Sequence, residues 1–337
     1  MVYSAFLLFV FLLSLSMTYL SVRFKDRLAI IDTPNERSMH KTPKPRSGGI
    51  AIVIAFVIGT LLMFGPSSSS SFLLPLLIVF ILGLVDDIMH VSAKVKLLVI
   101  SLSAALLFYM GYDIQNFGVF LGYEVELYYV VALIFCAVAV GGFVNAVNLI
   151  DGLDGLASVI SIIILAAFVY IGYKYSDDFL LSVSLLMIFS ILGFLVFNWF
   201  PSKIFMGDSG SLSIGFVIAV ISIYSIKQEY ITAISVLLLA AIPILDTLIV
   251  MVRRIISGQN PFSPDRTHIH HIILKQQHND IRKTVFILAL MQMFFSYIGL
   301  GFKARDDMII LVLYILVFVV FYMLLTPRYK RKYNPKN

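Results

Sequence analysis

The residues of this sequence that can do chemistry are a set of acids and amides at the ends of long apolar runs. V-D-D-I places Asp86 and Asp87 side by side, N-L-I-D-G-L-D-G-L offers Asn148, Asp151 and Asp154, F-M-G-D-S-G-S offers Asp208, and P-I-L-D-T offers Asp246. Carboxylates at membrane depth are costly, and chains keep them where they are used. Adjacent carboxylates repel, and a divalent cation or a lysine relieves them. Lys94 and Lys96 follow the pair closely. A helix end at the headgroups would also account for the pair taken alone. Asp151 and Asp154, three apart at a helix start, share one face. Asn145 and Asn148 lie just upstream, and Gly152 and Gly155 leave room for a ligand to approach the backbone. One of these acids could be an N-cap, but two acids and two asparagines exceed what capping needs.

Gly207-Asp208-Ser209-Gly210-Ser211 opens a further apolar run. Free N–H groups at a helix N-terminus, lined by small residues, favour phosphate. An acid there would repel phosphate unless a metal lay between them, so Asp208 reads as a magnesium ligand. Mg²⁺ takes one or two carboxylates and completes its shell with phosphate oxygens and water. The segment 261–271, P-F-S-P-D-R-T-H-I-H-H, gathers Arg266, His268, His270 and His271, which could bind a phosphate or orient a sugar. Zinc is the weaker reading, because no thiol is near and the spacing cannot put all three imidazoles on one helical face. The first basic loop runs from Asp32 to Arg46-Ser47-Gly48-Gly49 and mixes prolines with cations. A topology signal explains some of those charges, whereas the ordered K-P-R-S-G-G ending goes beyond it.

The elements that must position these residues are helices in a bilayer. The 337 residues are 60% hydrophobic and 13% charged, with a mean hydropathy of +0.97, against about 25% charged in soluble domains. The fold class is an all-α polytopic membrane protein. Hydropathy predicts eleven spans, at about 4–22, 48–64, 72–86, 95–112, 127–146, 156–173, 179–198, 211–226, 230–252, 283–302 and 308–325. The first lacks a basic leader and a cleavage site and reads as a retained helix. A single cysteine, Cys136, excludes a disulfide framework and a thiol-rich metal site. With the loops assigned alternately to two sides, one side carries 21 of the Lys and Arg residues and the other carries 4. The rich side is therefore cytoplasmic, with the N-terminus outside and the C-terminus inside. The acids named above fall on that inner face, with Asp246 somewhat deeper. The net charge of +6 follows from the same asymmetry, so anionic headgroups and phosphorylated substrates are the implied partners and nucleic acid is not. Residues 113–126 alternate around Gly122 and predict a small outward β-hairpin, and the serine run 67–71 predicts a flexible outer loop. The outward acids, Asp113, Asp177 and Asp307 among them, read as solvated. The chain divides into one integral-membrane domain, 1–326, and a basic cytoplasmic tail, 327–337.

In order along the chain, D32-x-P…R46-S-G-G, G-L-V-D-D (83–87), K-L (96–97), N-A-V-N-L-I-D-G-L-D-G-L-A (145–157), F-N-W-F-P…F-M-G-D-S-G-S-L (197–212), P-I-L-D-T (243–247) and P-F-S-P-D-R-T-H-I-H-H (261–271) resemble the polyprenyl-phosphate N-acetylhexosamine-1-phosphate transferases. The resemblance runs from about residue 30 to 275. The R-x-H-I-H-H ending is similar to the branch acting on UDP-N-acetylglucosamine. The resemblance implies a magnesium-dependent enzyme (manganese as a substitute) of a bacterial cytoplasmic membrane. It would move GlcNAc-1-phosphate from a UDP-sugar to undecaprenyl phosphate, the first membrane step of a cell-envelope polysaccharide. It makes Asp86 and Asp87 the pair that engages the lipid phosphate, and places Asn148, Asp151 and Asp154 around metal, pyrophosphate and uridine. Asp208 becomes the principal metal ligand with Asn148 beside it, Phe205 an aromatic at the uracil, and Arg266, His268, His270 and His271 a loop over pyrophosphate and sugar. Asp32, Arg46 and Lys96 join the substrate-binding set. Phospho-MurNAc-pentapeptide transfer and, in a different class, a cation-coupled secondary transporter are the competing readings. The sequence leaves open which UDP-sugar is used and whether the chain forms a homodimer.

Overall fold

The computed structural model describes residues 2–25, 30–32, 43–260, 268–301 and 307–333. Helix α1 (Val2–Arg23) leads into two short antiparallel strands, β1 (Ile31–Asp32) and β2 (Lys44–Pro45). Then come α2 (Gly48–Met89), α3 (Ala93–Tyr109), the hairpin β3 (Asn116–Phe120) and β4 (Tyr123–Glu126), and α4 (Tyr129–Leu149). The rest is helical: α5 (Leu156–Tyr175), α6 (Asp178–Asn198), α7 (Asp208–Lys227), α8 (Ser235–Leu239), α9 (Ala241–Ile256), α10 (Ile269–Gln276), α11 (Ile281–Gly301) and α12 (Asp307–Tyr333). Among the described residues eight helices are long and apolar enough to cross a membrane, against the eleven expected.

The shortfall has three physical causes. The spans 48–64 and 72–86 belong to one helical run, α2, interrupted at Gly65 (φ 76°, ψ 164°). A straight helix would set Gly49 and Gly83 about 50 Å apart, yet both touch the start of α7. A Cβ on Gly49 would lie 2.1 Å from the Gly210 nitrogen, and one on Gly83 2.5 Å from the Ser209 Cα. The run therefore folds back on itself at Gly65. The serine run 67–71 is helical within the second arm, with the Ser69 hydroxyl donating to the Gly65 carbonyl at 2.7 Å, so it is not the loop its composition predicts. Helix α3 has only 17 residues. The expected span 230–252 is broken at Ala240 (φ −124°, ψ 42°) between α8 and α9.

That break is repaired from outside. Gln292 of α11 accepts from the Ile242 N–H at 3.0 Å and donates to the Leu239 carbonyl at 2.8 Å, and Ser296 donates to the same carbonyl at 3.0 Å. Backbone groups freed inside a bilayer need partners of this kind.

Helix α7 is the axis of the bundle. Residues 209–226 are all buried except Tyr224, with α2, α4, α5 and α6 packed around them. A helix surrounded on every side must be apolar or self-satisfied. Its serines comply by donating back one turn, Ser213 to Ser209 and Ser222 to Ile218.

At the far end of α7 the acids are engaged rather than solvated. Asp177 accepts from Tyr224 and Tyr230 at 2.8 and 2.9 Å, and Asp113 pairs with Lys227. The buried Asp307 receives the Val119 N–H at 2.8 Å, docking the β3–β4 hairpin on α12. Leu121 and Gly122, both at positive φ, make the two-residue hairpin turn.

Candidate active site

The site is built on the first residues of α7. Asp87, with a fully buried side chain, accepts from the Asp208 N–H at 2.8 Å, the Ser209 N–H at 3.0 Å and the Ser209 hydroxyl at 2.7 Å. The donors read from the sequence as a phosphate cradle are thus already taken by a carboxylate from the neighbouring helix. Gly49, Gly83 and Gly210 let the backbones of α2 and α7 close to contact. These glycines serve helix approach, a use the sequence reading did not anticipate.

The arrangement gathers charge around Asp208. Lys96 reaches it at 2.8 Å and Asp86 at 3.1 Å, bridging the two carboxylates. Asp86 also accepts the Val91 N–H at 2.6 Å, which closes the end of α2. Arg46 stands 3.7 Å from both Asp87 and Asp208. Its position follows from backbone pairing. Phe205 N–H donates to the Pro45 carbonyl at 2.9 Å, and Gly48 and Gly49 donate to the carbonyls of Phe205 and Met206 at 3.1 and 2.8 Å. Asp32 lies opposite Lys44 in the β1–β2 pair, on the Lys44 side of the site.

Asn148 ends α4 and gives an amide hydrogen to the Ser211 hydroxyl at 2.8 Å. Asp151 follows in the turn before α5. Burial first, then the charge of Asp208, push the Asp151 carboxyl up to about 7; Arg46 opposes the shift while Asp87 and Asp154 add to it. Asp154 is committed differently. It accepts from the Ser202 N–H at 2.9 Å and the Ser202 hydroxyl at 2.8 Å, with Lys44 at 4.0 Å. Lys44 in turn lies 4.8 Å above the Phe205 ring, so Asp154, Lys44 and Phe205 form one shelf. Asn198 underpins it, accepting from Gly155 N–H at 3.0 Å and donating to the Ile204 carbonyl at 2.9 Å. Sequence reasoning missed Lys44, Ser202 and Asn198. Lys44 was absorbed into the topology count, and the other two lie in the F-N-W-F-P-S segment without a charge to mark them.

Asp246 explains the histidines. His268 Nδ1 lies 3.0 Å from its Oδ2, the Ile269 N–H donates to its Oδ1 at 2.5 Å, and His270 Nδ1 is 3.5 Å from Oδ2. The His270 ring packs on the acidic turn, where a Cβ on Gly152 would meet its Nε2 at 2.4 Å. Gly152 therefore makes room for a histidine rather than for a ligand. His271 lies beside His270 with its ring tilted by 46° at 4.2 Å between centroids, and burial, with the charges of its two neighbours, lowers it to about 4. Arg266 lies outside the described residues. Among the described residues no three His, Cys, Asp or Glu side chains cage a metal by themselves. Between α4, α7 and α9 runs an apolar cavity of about 580 Å³, lined by residues such as Phe135, Gly142, Phe143, Ile223 and Leu248.

A family model described as glycosyl transferase family 4 matches residues 69–226. A probable undecaprenyl-phosphate N-acetylglucosaminyl 1-phosphate transferase of Bacillus subtilis (strain 168) is 32% identical over 89% of this chain and 84% of its own length. The chain belongs to glycosyl transferase family 4. Undecaprenyl-phosphate alpha-N-acetylglucosaminyl 1-phosphate transferases of Yersinia pestis and Escherichia coli (strain K12) are 28% and 27% identical, each over 94% of this chain and 89% of the relative. The family 4 match takes in Asp86, Asp87, Lys96, Asn148, Asp151, Asp154 and Asp208. It leaves outside Arg46 and the histidines, which the fold returns to the same place.

Proposed function

We propose that this chain transfers N-acetylhexosamine-1-phosphate, GlcNAc-1-phosphate foremost, from a UDP-sugar to undecaprenyl phosphate, releasing UMP. The observation that carries the proposal is the convergence of Arg46, Asp86, Lys96, Asp151 and Asp208 at one end of α7, in a family 4 chain whose relatives are named for this transfer. Acids gathered at one end of the bundle, rather than along its middle, favour a surface enzyme over a transporter. Two phosphate compounds exchange one anhydride for another, so catalysis is chiefly positioning and charge neutralisation.

The donor set fits a hard divalent cation. Five carboxylates (Asp86, Asp87, Asp151, Asp154 and Asp208) face three described cations, Lys44, Arg46 and Lys96. Asn148 spends an amide hydrogen on Ser211, leaving its carbonyl oxygen as a further hard donor. Asp208 with Asn148 would hold magnesium, or manganese in its place, which supplies a Lewis acid to the diphosphate. Lys96 and Arg46 draw the acceptor phosphate and the diphosphate to the acids. The acceptor phosphate needs little help to ionise at neutral pH, so Asp86 serves mainly to hold Lys96, and Asp87 to fix the start of α7. The Asp154–Lys44–Phe205 shelf suits a uracil and ribose. The histidines suit the pyrophosphate and sugar, and Arg266 would join them. The cavity between α4, α7 and α9 offers an apolar berth for the polyprenyl chain.

Eleven spans would follow if the two arms of α2 crossed separately and α3 and α8–α9 crossed as well. The Lys and Arg asymmetry then puts the site at the cytoplasmic face, N-terminus outside and C-terminus inside, with 1–326 as one domain and 327–337 as its tail. The test is UMP release from purified protein given undecaprenyl phosphate, Mg²⁺ and a panel of UDP-sugars. UDP-GlcNAc supports release, and Asp208→Asn lowers it at least about 100-fold in folded protein. No UMP from any sugar would overturn the proposal.

A further inference from the structure

Asp246 is buried on α9, outside the acidic centre, and makes contacts that a simple helix cap does not need. Its Oδ1 receives the Ile269 N–H at the start of α10, the job of a cap. A neutral asparagine would do that as well. Its Oδ2 is engaged by His268 Nδ1 at 3.0 Å and approached by His270 Nδ1 at 3.5 Å. A buried charge is kept where a partner requires it, and here the partners are imidazoles. The histidine segment then touches the acidic turn, His270 Nε2 lying against Gly152, next to Asp151. The platform is firm, because the start of α9 is clamped by Gln292.

We propose that Asp246 is a positioning residue of the transfer reaction, acting through the histidines. It holds the proton of His268 on Nδ1, fixing the tautomer and orientation of that ring. It also sets His270 over Gly152, fixing the distance between the histidine segment and Asp151. Carboxylates behind functional imidazoles fix tautomer and ring orientation in this way. The activity arm of the inference rests on the transfer function proposed above; the tautomer arm does not.

The test is Asp246→Asn, which keeps an oxygen for the Ile269 N–H and removes the charge. Expected is a fall in kcat of about 10- to 100-fold, with KM for UDP-GlcNAc within about two-fold and an unchanged thermal midpoint. Asp246→Glu recovers part of the rate. Added to the double variant His268→Gln/His270→Gln, Asp246→Asn slows turnover no further, as required of a residue that acts through those two histidines. ¹⁵N-histidine NMR of the wild-type protein, assigned with His268→Gln, shows His268 protonated at Nδ1, and Asp246→Asn loses that signal. Wild-type kcat in Asp246→Asn, a further loss when it is added to the double variant, or an Nδ1 without its proton would each overturn the inference. A wild-type protein that releases no UMP defeats the transfer function, and the NMR result still decides the role of Asp246.

Discussion

Two neighbouring acids, indistinguishable in the sequence, have different surroundings. Asp87 has no exposed side-chain surface and satisfies three donors at the head of α7, while Asp86 shares Lys96 with Asp208 at the edge of the site. Removing Asp87 leaves buried donors unpaired, at about 1–3 kcal/mol each. Asp87→Ala is therefore expected to lower the thermal midpoint sharply, whereas Asp86→Asn keeps its midpoint and loses turnover. A thermal melt beside an UMP assay separates the two. Asp151 gives a pH signature. Its carboxyl titrates near 7 in the folded chain against an ordinary 3.8, so the folded state binds the proton more tightly than the unfolded one. Stability contributed by this group is full below about pH 4 and declines as pH rises towards 7. Asp151→Asn removes the decline, so the midpoint of the variant exceeds that of the wild type increasingly from pH 4 to 7, then by a constant margin. The types and places of these acids were legible because charge is rare in so apolar a chain. Their assignments were not, since a carboxylate that caps a distant helix and one that faces a ligand read the same in sequence.

Among the elements, the α8–α9 junction shows what hydropathy cannot see. Residues 230–252 are apolar apart from Thr232, Ser235, Asp246 and Thr247 and read as one span, yet the chain breaks at Ala240. The break persists because Gln292, fifty residues on, supplies the missing hydrogen bonds. Gln292→Leu is expected to cost about 1–3 kcal/mol, seen as a lower thermal midpoint, with Ser296→Ala costing less because Gln292 still serves the Ile242 N–H and the Leu239 carbonyl. A wild-type midpoint in Gln292→Leu would show that the junction does not depend on Gln292. The histidine segment belongs to this scale too. Three histidines in four residues announced themselves, but their anchor on Asp246 joins segments 22 residues apart, a pairing that no local pattern encodes. The β3–β4 hairpin was legible because its alternation and its Leu121-Gly122 turn are local.

For the whole molecule, the membrane class was written in composition, and the distribution of Lys and Arg predicts the sidedness. A single cysteine placed at Ser68, exposed in the fold-back of α2, is expected to react with an impermeant maleimide added to intact cells. One at Ser257, exposed after α9, reacts only after lysis. The native Cys136 is buried and gives little background. The reverse pattern would invert the topology. Core packing around α7 was not legible, because the glycines that make it possible look like ligand-site glycines until the two backbones are seen to touch. The fold-back at Gly65 also has a consequence for how such a chain can change length. Both arms of α2 end against the same residues of α7, so one residue inserted in either arm would rotate its end by about 100° and swing Arg46 or Asp86 away from Asp208. The turn itself has open space around Gly65 and bears no such constraint. Insertions and deletions in this region are therefore confined to the turn, and the two arms are held in register like the jaws of a calliper.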